Sequence, residues 1–341
     1  MPLNDDMHFN RNPVTQLGTA YHRYGDKVFG IYQHDRLNHC YLIGQTGTGK
    51  SSLIANLARQ DAERQQGFCL IDPHGDLAEQ LHRSINTDHI YWKVSDAASP
   101  YGYNPLTRVP PRFRPLVASG FIETLKKQWA DSWGPRMEHL LRYSILALLD
   151  QPRADMRDIV RMYIEPDFRR LVVARVTDQQ VLAFWKVEFP KMKYLTAIDG
   201  VAPISNKLGA FLAHPIIRKA VCAPEQPLRF RRLMDEGQMV IINLAKGQIG
   251  NDNANVLGGL LVSNIMNAAF TRHDTPETER RPFFLYIDEF HSFTTTAFAD
   301  MLSESRKYGL GLFLSHQHCS QIEQPVFEAV MGKAGQWKQY C

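Results

Sequence analysis

The chain has 341 residues, 44% of them apolar and 22% charged. That balance fits a globular protein with a sizeable core and excludes a disordered or collagen-like chain. The net charge of +4 is compatible with a nucleic-acid partner but does not establish one. Five cysteines, Cys40, Cys69, Cys222, Cys319 and Cys341, are scattered with no CxxC pair. Their spacing argues for a reducing compartment and against a zinc site or a disulfide framework.

The opening residues, MPLNDDMHFN, are polar and acidic, unlike a signal peptide. Residues 1–38 read as a polar lead-in with a short strand or two. From residue 39 the pattern alternates. Apolar runs at 39–44, 68–72 and 90–94 are separated by helical stretches at 50–65 and 76–85, the signature of a parallel α/β sheet. Residues 110–235 carry helical periodicity almost throughout. In 135–150 the apolar positions Met137, Leu140, Leu141, Ile145, Leu148 and Leu149 share one helix face, with Pro135 in its first turn. Short apolar runs return at 239–245, 283–288 and 310–315. The apolar stretch 256–270 contains Ser263, Asn264 and Asn267. It is shorter than a bilayer span of about 20 residues, so we read it as a core helix.

The turn after the first run is GQTGTGKSS: Gly44, Gln45, Thr46, Gly47, Thr48, Gly49, Lys50, Ser51 and Ser52. It fits G-x-x-x-x-G-K-[ST]. Glycines let backbone N–H groups turn inward on phosphate oxygens, and the following helix adds its positive end. Lys50 is placed to reach the β- and γ-phosphates, and the Ser51 hydroxyl to ligate Mg²⁺. The fold class expected is therefore α/β, a P-loop NTPase core with a largely parallel sheet, interrupted by a helical insertion. The core would run over 39–109 and 236–341, with the insertion at 110–235.

The run FFLYI (283–287) ends in two carboxylates, Asp288 and Glu289. Two such charges at a buried strand end are costly unless a cation and a reaction justify them. We assign Asp288 to the metal and Glu289 to the general base that activates water. Gln317, ending LGLFLSHQ, is a candidate γ-phosphate contact. Arg306 is hard to aim at its own nucleotide, and is placed to act as a finger in a neighbouring subunit or to meet a helix end. In IDPHGDL (71–77) Asp76 is expected to cap the next helix. His316, His318 and Cys319 fit no zinc spacing, and NKLG (206–209) is not a guanine-reading motif, which favours ATP. Lys246 and the basic group Arg229, Arg231 and Arg232 are candidate DNA contacts.

Taken in order, YLIGQTGTGKSSL, IDPHGDL, DSWGPRMEHLLRY, INLAKGQIG, LYIDEF and SESRKYGL…LSHQ resemble the conjugative DNA-transfer ATPases, coupling-protein-like members of the HerA–FtsK superfamily. The resemblance runs from about residue 36 to 334. It implies a RecA-like P-loop NTPase core with an all-α inserted domain, a hexameric ring with ATP sites between subunits, movement of DNA through the pore, and a relaxase or secretion-channel protein as partner. Coupling proteins commonly carry N-terminal membrane helices, and no such segment is read here. A cytoplasmic protein is expected, peripheral at the inner membrane through partners. Relatives also continue past the position of GKAG with a further strand, where this chain reads QWKQYC. Two other readings share the core: an ATP-dependent recruitment module, and a pilus-assembly or protein-secretion ATPase.

Overall fold

The computed structural model describes residues 13–21, 23, 25–192 and 194–333. The terminal QWKQYC lies outside them. In chain order the elements are β1 (Val14–Ala20), β2 (Lys27–Tyr32), β3 (Cys40–Ile43), α1 (Lys50–Glu63), β4 (Phe68–Asp72), α2 (Asp76–Ser84), β5 (Ile90–Lys93) and β6 (Tyr101–Gly102). Helices follow: α3 (Arg114–Gln128), α4 (Pro135–Leu149), α5 (Met156–Ile164), α6 (Pro166–Val173), α7 (Gln179–Ala183), α8 (Phe189–Lys191), α9 (Tyr194–Ala213) and α10 (Pro215–Cys222). The chain closes with β7 (Gln226–Pro227), α11 (Phe230–Glu236), β8 (Met239–Asn243), α12 (Lys246–Ile249), α13 (Asn251–Phe270), β9 (Phe283–Ile287), α14 (Thr296–Ser305), β10 (Leu310–His316) and α15 (Gln324–Lys333).

Among the described residues the large sheet has six strands in the order β3-β10-β9-β4-β8-β5. Every neighbouring pair in it is parallel. The α/β P-loop fold expected from the sequence is therefore present. β4, β8 and β9 are buried along their whole length, because helices cover both faces and leave no side of these strands for water. On one face Ile54 and Leu57 of α1 and Leu77 and Leu81 of α2 share a core with Leu70 and Ile241. On the other, Ile122 and Leu125 of α3 and Leu257 and Leu261 of α13 share a core with Ile71 and Leu285. The helix 251–270 is thus a core helix, although it is long and apolar enough to cross a membrane by composition.

β6 and β7 pair in parallel, Tyr101 with Gln226 and Gly102 with Pro227. The chain therefore leaves the sheet for the helices α3–α10 and returns at adjacent points. In α4 all six apolar positions of the predicted face are buried.

One polar cluster inside the core fixes α1. The Arg36 guanidinium donates to both Asp61 carboxylate oxygens, at 2.5 and 2.8 Å, and to the Tyr286 hydroxyl at 2.6 Å. Tyr286 in turn donates to Asp61 Oδ2 at 2.6 Å. Arg36 also reaches Thr15 and Gln33 of the N-terminal segment and stacks 3.9 Å over Phe284. Both charged side chains are fully buried. Hairpin, helix and strand are tied at one point, and removing one charge would leave the other uncompensated in low dielectric. We expect Asp61→Ala to cost about 3–5 kcal/mol in urea unfolding, with the joint replacement Arg36→Met, Asp61→Leu costing less. A single-variant loss under about 1 kcal/mol would contradict this role.

Candidate active site

β3 ends at Ile43 and the chain turns through Gly44–Gly49 into α1. Gly47 and Gly49 have φ of +87° and +93°, a region where a side chain is strained. The Thr48 N–H and hydroxyl both donate to Gln45 O, at 3.3 and 2.8 Å, closing the loop. The Lys50 ammonium lies over the loop and donates to Gly44 O at 2.5 Å and Gln45 O at 3.0 Å. Ser51 and Ser52 are exposed in the first turn of α1. Thr46 and Gly47 form the exposed crown of the loop.

Strand register lines up the acids. Leu314 pairs with Ile287, Ile287 with Ile71, and Asp72 with Asn243. One step on, Ser315, Asp288, Asp72 and Asn243 form a row across the edge where the strands end. In-register neighbours of a parallel sheet point to the same face. Here it is the face of α1 and α2, since Asp72 Oδ2 accepts from Ala78 N of α2 at 2.9 Å. Burial pushes the Asp72 carboxyl up, the neighbouring Asp288 adds to this, and amides of Gly75, Ala78 and His74 oppose it. Asp72 also accepts from His74 N at 2.9 Å. The capping role expected of Asp76 therefore belongs to Asp72. Gly75, at φ +101°, takes the N-cap position and turns the helix start onto the strand-end carboxylate, leaving Asp76 inside the first turn.

Asp288 and Glu289 are both buried, at 7% and 8% exposure, so they are not solvated residues beyond the strand. Asp288 Oδ1 accepts from the Ser315 hydroxyl and from Glu289 N. No described side chain donates to Oδ2. Glu289 sits at φ +49°, a left-handed conformation that costs on the order of 1–3 kcal/mol and is kept only when its surroundings impose it. Its Oε1 accepts from Gln317 Nε2 at 2.9 Å, and Oε2 lies 3.5 Å from His291 Nδ1. Burial lowers the His291 pKa, against the pull of Glu289, and the charges of Lys127 and Lys246 lower it further.

The loop after Glu289 is held by α3. The Lys127 ammonium donates to His291 O at 2.9 Å and to Thr294 O, and Gln128 donates to Ser292 O at 3.2 Å. Lys127 also pairs with Glu323 at 3.4 Å. Nothing in the sequence around Lys127 points to this contact. Ser315 had a signal: it ends an apolar run at the position that pairs with Asp288.

The structure thus brings Asp288, Glu289 and Gln317 together, on the sheet edge that also carries Lys50 and Ser51. Lys246 lies on that edge too, within electrostatic reach of His291. Arg306 does not join them. It is exposed, precedes β10 at the opposite edge, and donates to Asn38. Arg231 and Arg232 also lie away from the site, on α11 ahead of β8. Arg231 is committed within the chain, to Asp235, Asp274, Thr271 and Thr275, and Arg232 pairs with Glu236 at 2.5 Å. They therefore form no common patch with Lys246. Among the described residues no group of three His, Cys, Asp or Glu could hold a metal by itself. One carboxylate oxygen of Asp288 and the Ser51 hydroxyl are instead hard oxygen donors of the kind Mg²⁺ uses together with phosphates and water.

Residues 29–183 match the family model of the type IV secretion-system coupling protein DNA-binding domain. Among solved structures the chain is similar to the plasmid coupling protein TrwB, in complexes with an ATP analogue, with ADP and Mg²⁺, and with a GTP analogue. Identities are 19, 19 and 18%, and TM-scores 0.61, 0.58 and 0.56, over 89% of this chain and 71, 71 and 69% of those chains. It is also similar to VirB4 of Thermoanaerobacter pseudethanolicus, at 15% identity and TM-score 0.58, over 93% of this chain and 80% of that one. No curated protein matches. At these identities the structural likeness establishes the fold.

Two outcomes follow from this geometry. Lys127→Met should speed amide hydrogen exchange in 290–295 about tenfold or more while leaving α1 unchanged, and equal exchange in both would remove the clamp. His316, fully buried with its Nε2 2.5 Å from the Tyr41 hydroxyl, is pulled from 6.5 down to about 4 by burial first, then by His291 and Lys50. Between these two values the unfolded chain binds the proton and the folded chain does not. Stability should therefore fall as pH drops from about 6.5 to about 4, and His316→Gln should flatten that slope in urea titrations.

Proposed function

We propose that this chain, a coupling-protein-like P-loop protein, hydrolyses ATP to drive DNA during conjugative transfer, acting as a ring. The observation that carries the reading is the buried pair Asp288–Glu289 at the strand ends beside the phosphate loop, with Gln317 bonded to Glu289. In this reading the amides of Gly44–Ser52 and the Lys50 ammonium bind the phosphates. Ser51 and the free oxygen of Asp288 hold Mg²⁺, which neutralises phosphate charge when bound. Glu289 takes the proton of the attacking water, and Gln317 fixes the orientation of that carboxylate and meets the γ-phosphate. A general base of this kind contributes about 10²–10⁴-fold. Complexes of TrwB with an ATP analogue and with ADP and Mg²⁺ support both cofactors here.

Arg306 is exposed and lies at the strand edge opposite its own phosphate loop, which supports a role in a neighbouring subunit's site. DNA is supported as partner by the matched domain over 29–183. Lys246 is the better DNA-contact candidate, because Arg231 and Arg232 are paired internally. The stretch 110–235, whose helices α3–α10 lie between β6 and β7, is read as an inserted domain that meets DNA or a relaxase. A cytoplasmic location, with membrane contact through a channel partner, completes the reading.

The test is the ATPase rate of the intact chain with and without single- and double-stranded DNA, alongside particle mass in ATP. We expect stimulation by DNA and a hexamer mass. Glu289→Gln should keep MgATP binding and lose about 100-fold in turnover, and Lys50→Ala should lose binding. Undiminished hydrolysis by Glu289→Gln would remove the base from its role. ATP binding without DNA stimulation would favour a recruitment module instead.

A further inference from the structure

Beside the phosphate loop, between α1 and the β1–β2 hairpin, lies a cavity of about 470 Å³. Sites for small ligands run from about 300 to 1,000 Å³. Its walls are apolar: Leu17, Phe29 and Ile31 from the hairpin, and Cys40 and Leu42 from β3. Its mouth is formed by Thr48, Gly49 and Ser52, and Asn56 stands one turn further along α1. The hairpin is fixed in place against α1. Gln16 and Gln60 exchange two hydrogen bonds, at 2.8 and 2.9 Å, and Arg64 donates to Val14 O at 2.8 Å.

The cavity opens beside Gly49 and Ser52 of the loop, so a nucleotide whose phosphates were seated on the loop amides would have it within reach of its base. We infer that the cavity takes the purine base, with the Phe29 ring as its stacking surface and Asn56 as the polar contact beyond the mouth. This rests on the phosphate-loop reading above. Phe29 is 44% exposed and has no ring partner among the described residues. An aromatic face held half open beside a phosphate site suits a flat π-system and gains little from water. Asn56 Oδ1 already accepts from Arg59 Nη2 at 2.9 Å, which fixes the amide and turns its N–H donors away from Arg59. Adenine and guanine both carry N3 and N7 acceptors, so a donor alone does not separate them. The Thr48 hydroxyl is committed to Gln45 O, Ser52 stands at the phosphate end, and the walls beyond them are apolar. The site therefore selects a purine nucleotide over bare polyphosphate but discriminates weakly between adenine and guanine.

Calorimetry on the intact chain, with MgADP, MgGDP and magnesium pyrophosphate as probes, tests the assignment. MgADP and MgGDP should bind within about fivefold of each other, and both more tightly than pyrophosphate. Phe29→Ala should weaken MgADP about tenfold or more, the loss of one stacked base, and leave pyrophosphate within about twofold. Phe29→Trp, which keeps a stacking ring, should retain MgADP affinity. If Phe29→Ala moves MgADP no more than pyrophosphate, or if the intact chain prefers ADP over GDP by more than about 100-fold, the base assignment fails and the phosphate site stands. If none of the three probes binds the intact chain, both readings are overturned.

Discussion

The six described strands of the large sheet run in one direction and deliver all their ends to one edge, and that constraint shapes the site there. The row Ser315, Asp288, Asp72 and Asn243 puts two carboxylates on adjacent strands, facing the same way, in a place that water barely reaches. Like charges so placed repel, and burial penalises both. The chain answers the two costs differently. Asp72 is surrounded by amides of the α2 turn and becomes part of the helix start. Asp288 receives one hydroxyl and one amide on a single oxygen. The other oxygen accepts from no described side chain, so one acid is built into a helix start and the next is only half engaged.

This division explains which parts of the site could be read from the sequence. The phosphate loop was legible because its requirements are local: glycines at fixed intervals, a lysine and a hydroxyl, between an apolar run and a helix. Asp288 and Glu289 were legible because charges that end an unbroken apolar run demand a reason. The sheet and the helices on each side of it followed from periodicity alone. Asp76 was misread because the left-handed turn at Gly75 moves the helix start past it, and no propensity scale says which neighbouring carboxylate that turn will favour. The Arg231–Asp235 and Arg232–Glu236 pairs at i,i+4 spacing were visible in the sequence. The bond from Arg231 to Asp274 was not visible, because it joins elements brought together only by the fold.

The left-handed backbone at Glu289 could not be read at all, and it is the feature that connects the site to the rest of the chain. A glutamate has no intrinsic preference for φ near +49°, so the neighbourhood must impose it. Part of that neighbourhood is the sheet, through Asp288 and Gln317. The rest is α3, whose Lys127 and Gln128 hold the carbonyls of His291, Ser292 and Thr294. The phosphate loop hangs on other supports. It is fixed by α1, which Asp61 ties to Arg36, Tyr286 and the hairpin. The two halves of the site therefore answer to different anchors. A displacement of α3 against the sheet would move the carboxylate and its loop while leaving the phosphate cradle where it is. The fold builds in this separation by borrowing two side chains from a helix some 160 residues away in sequence.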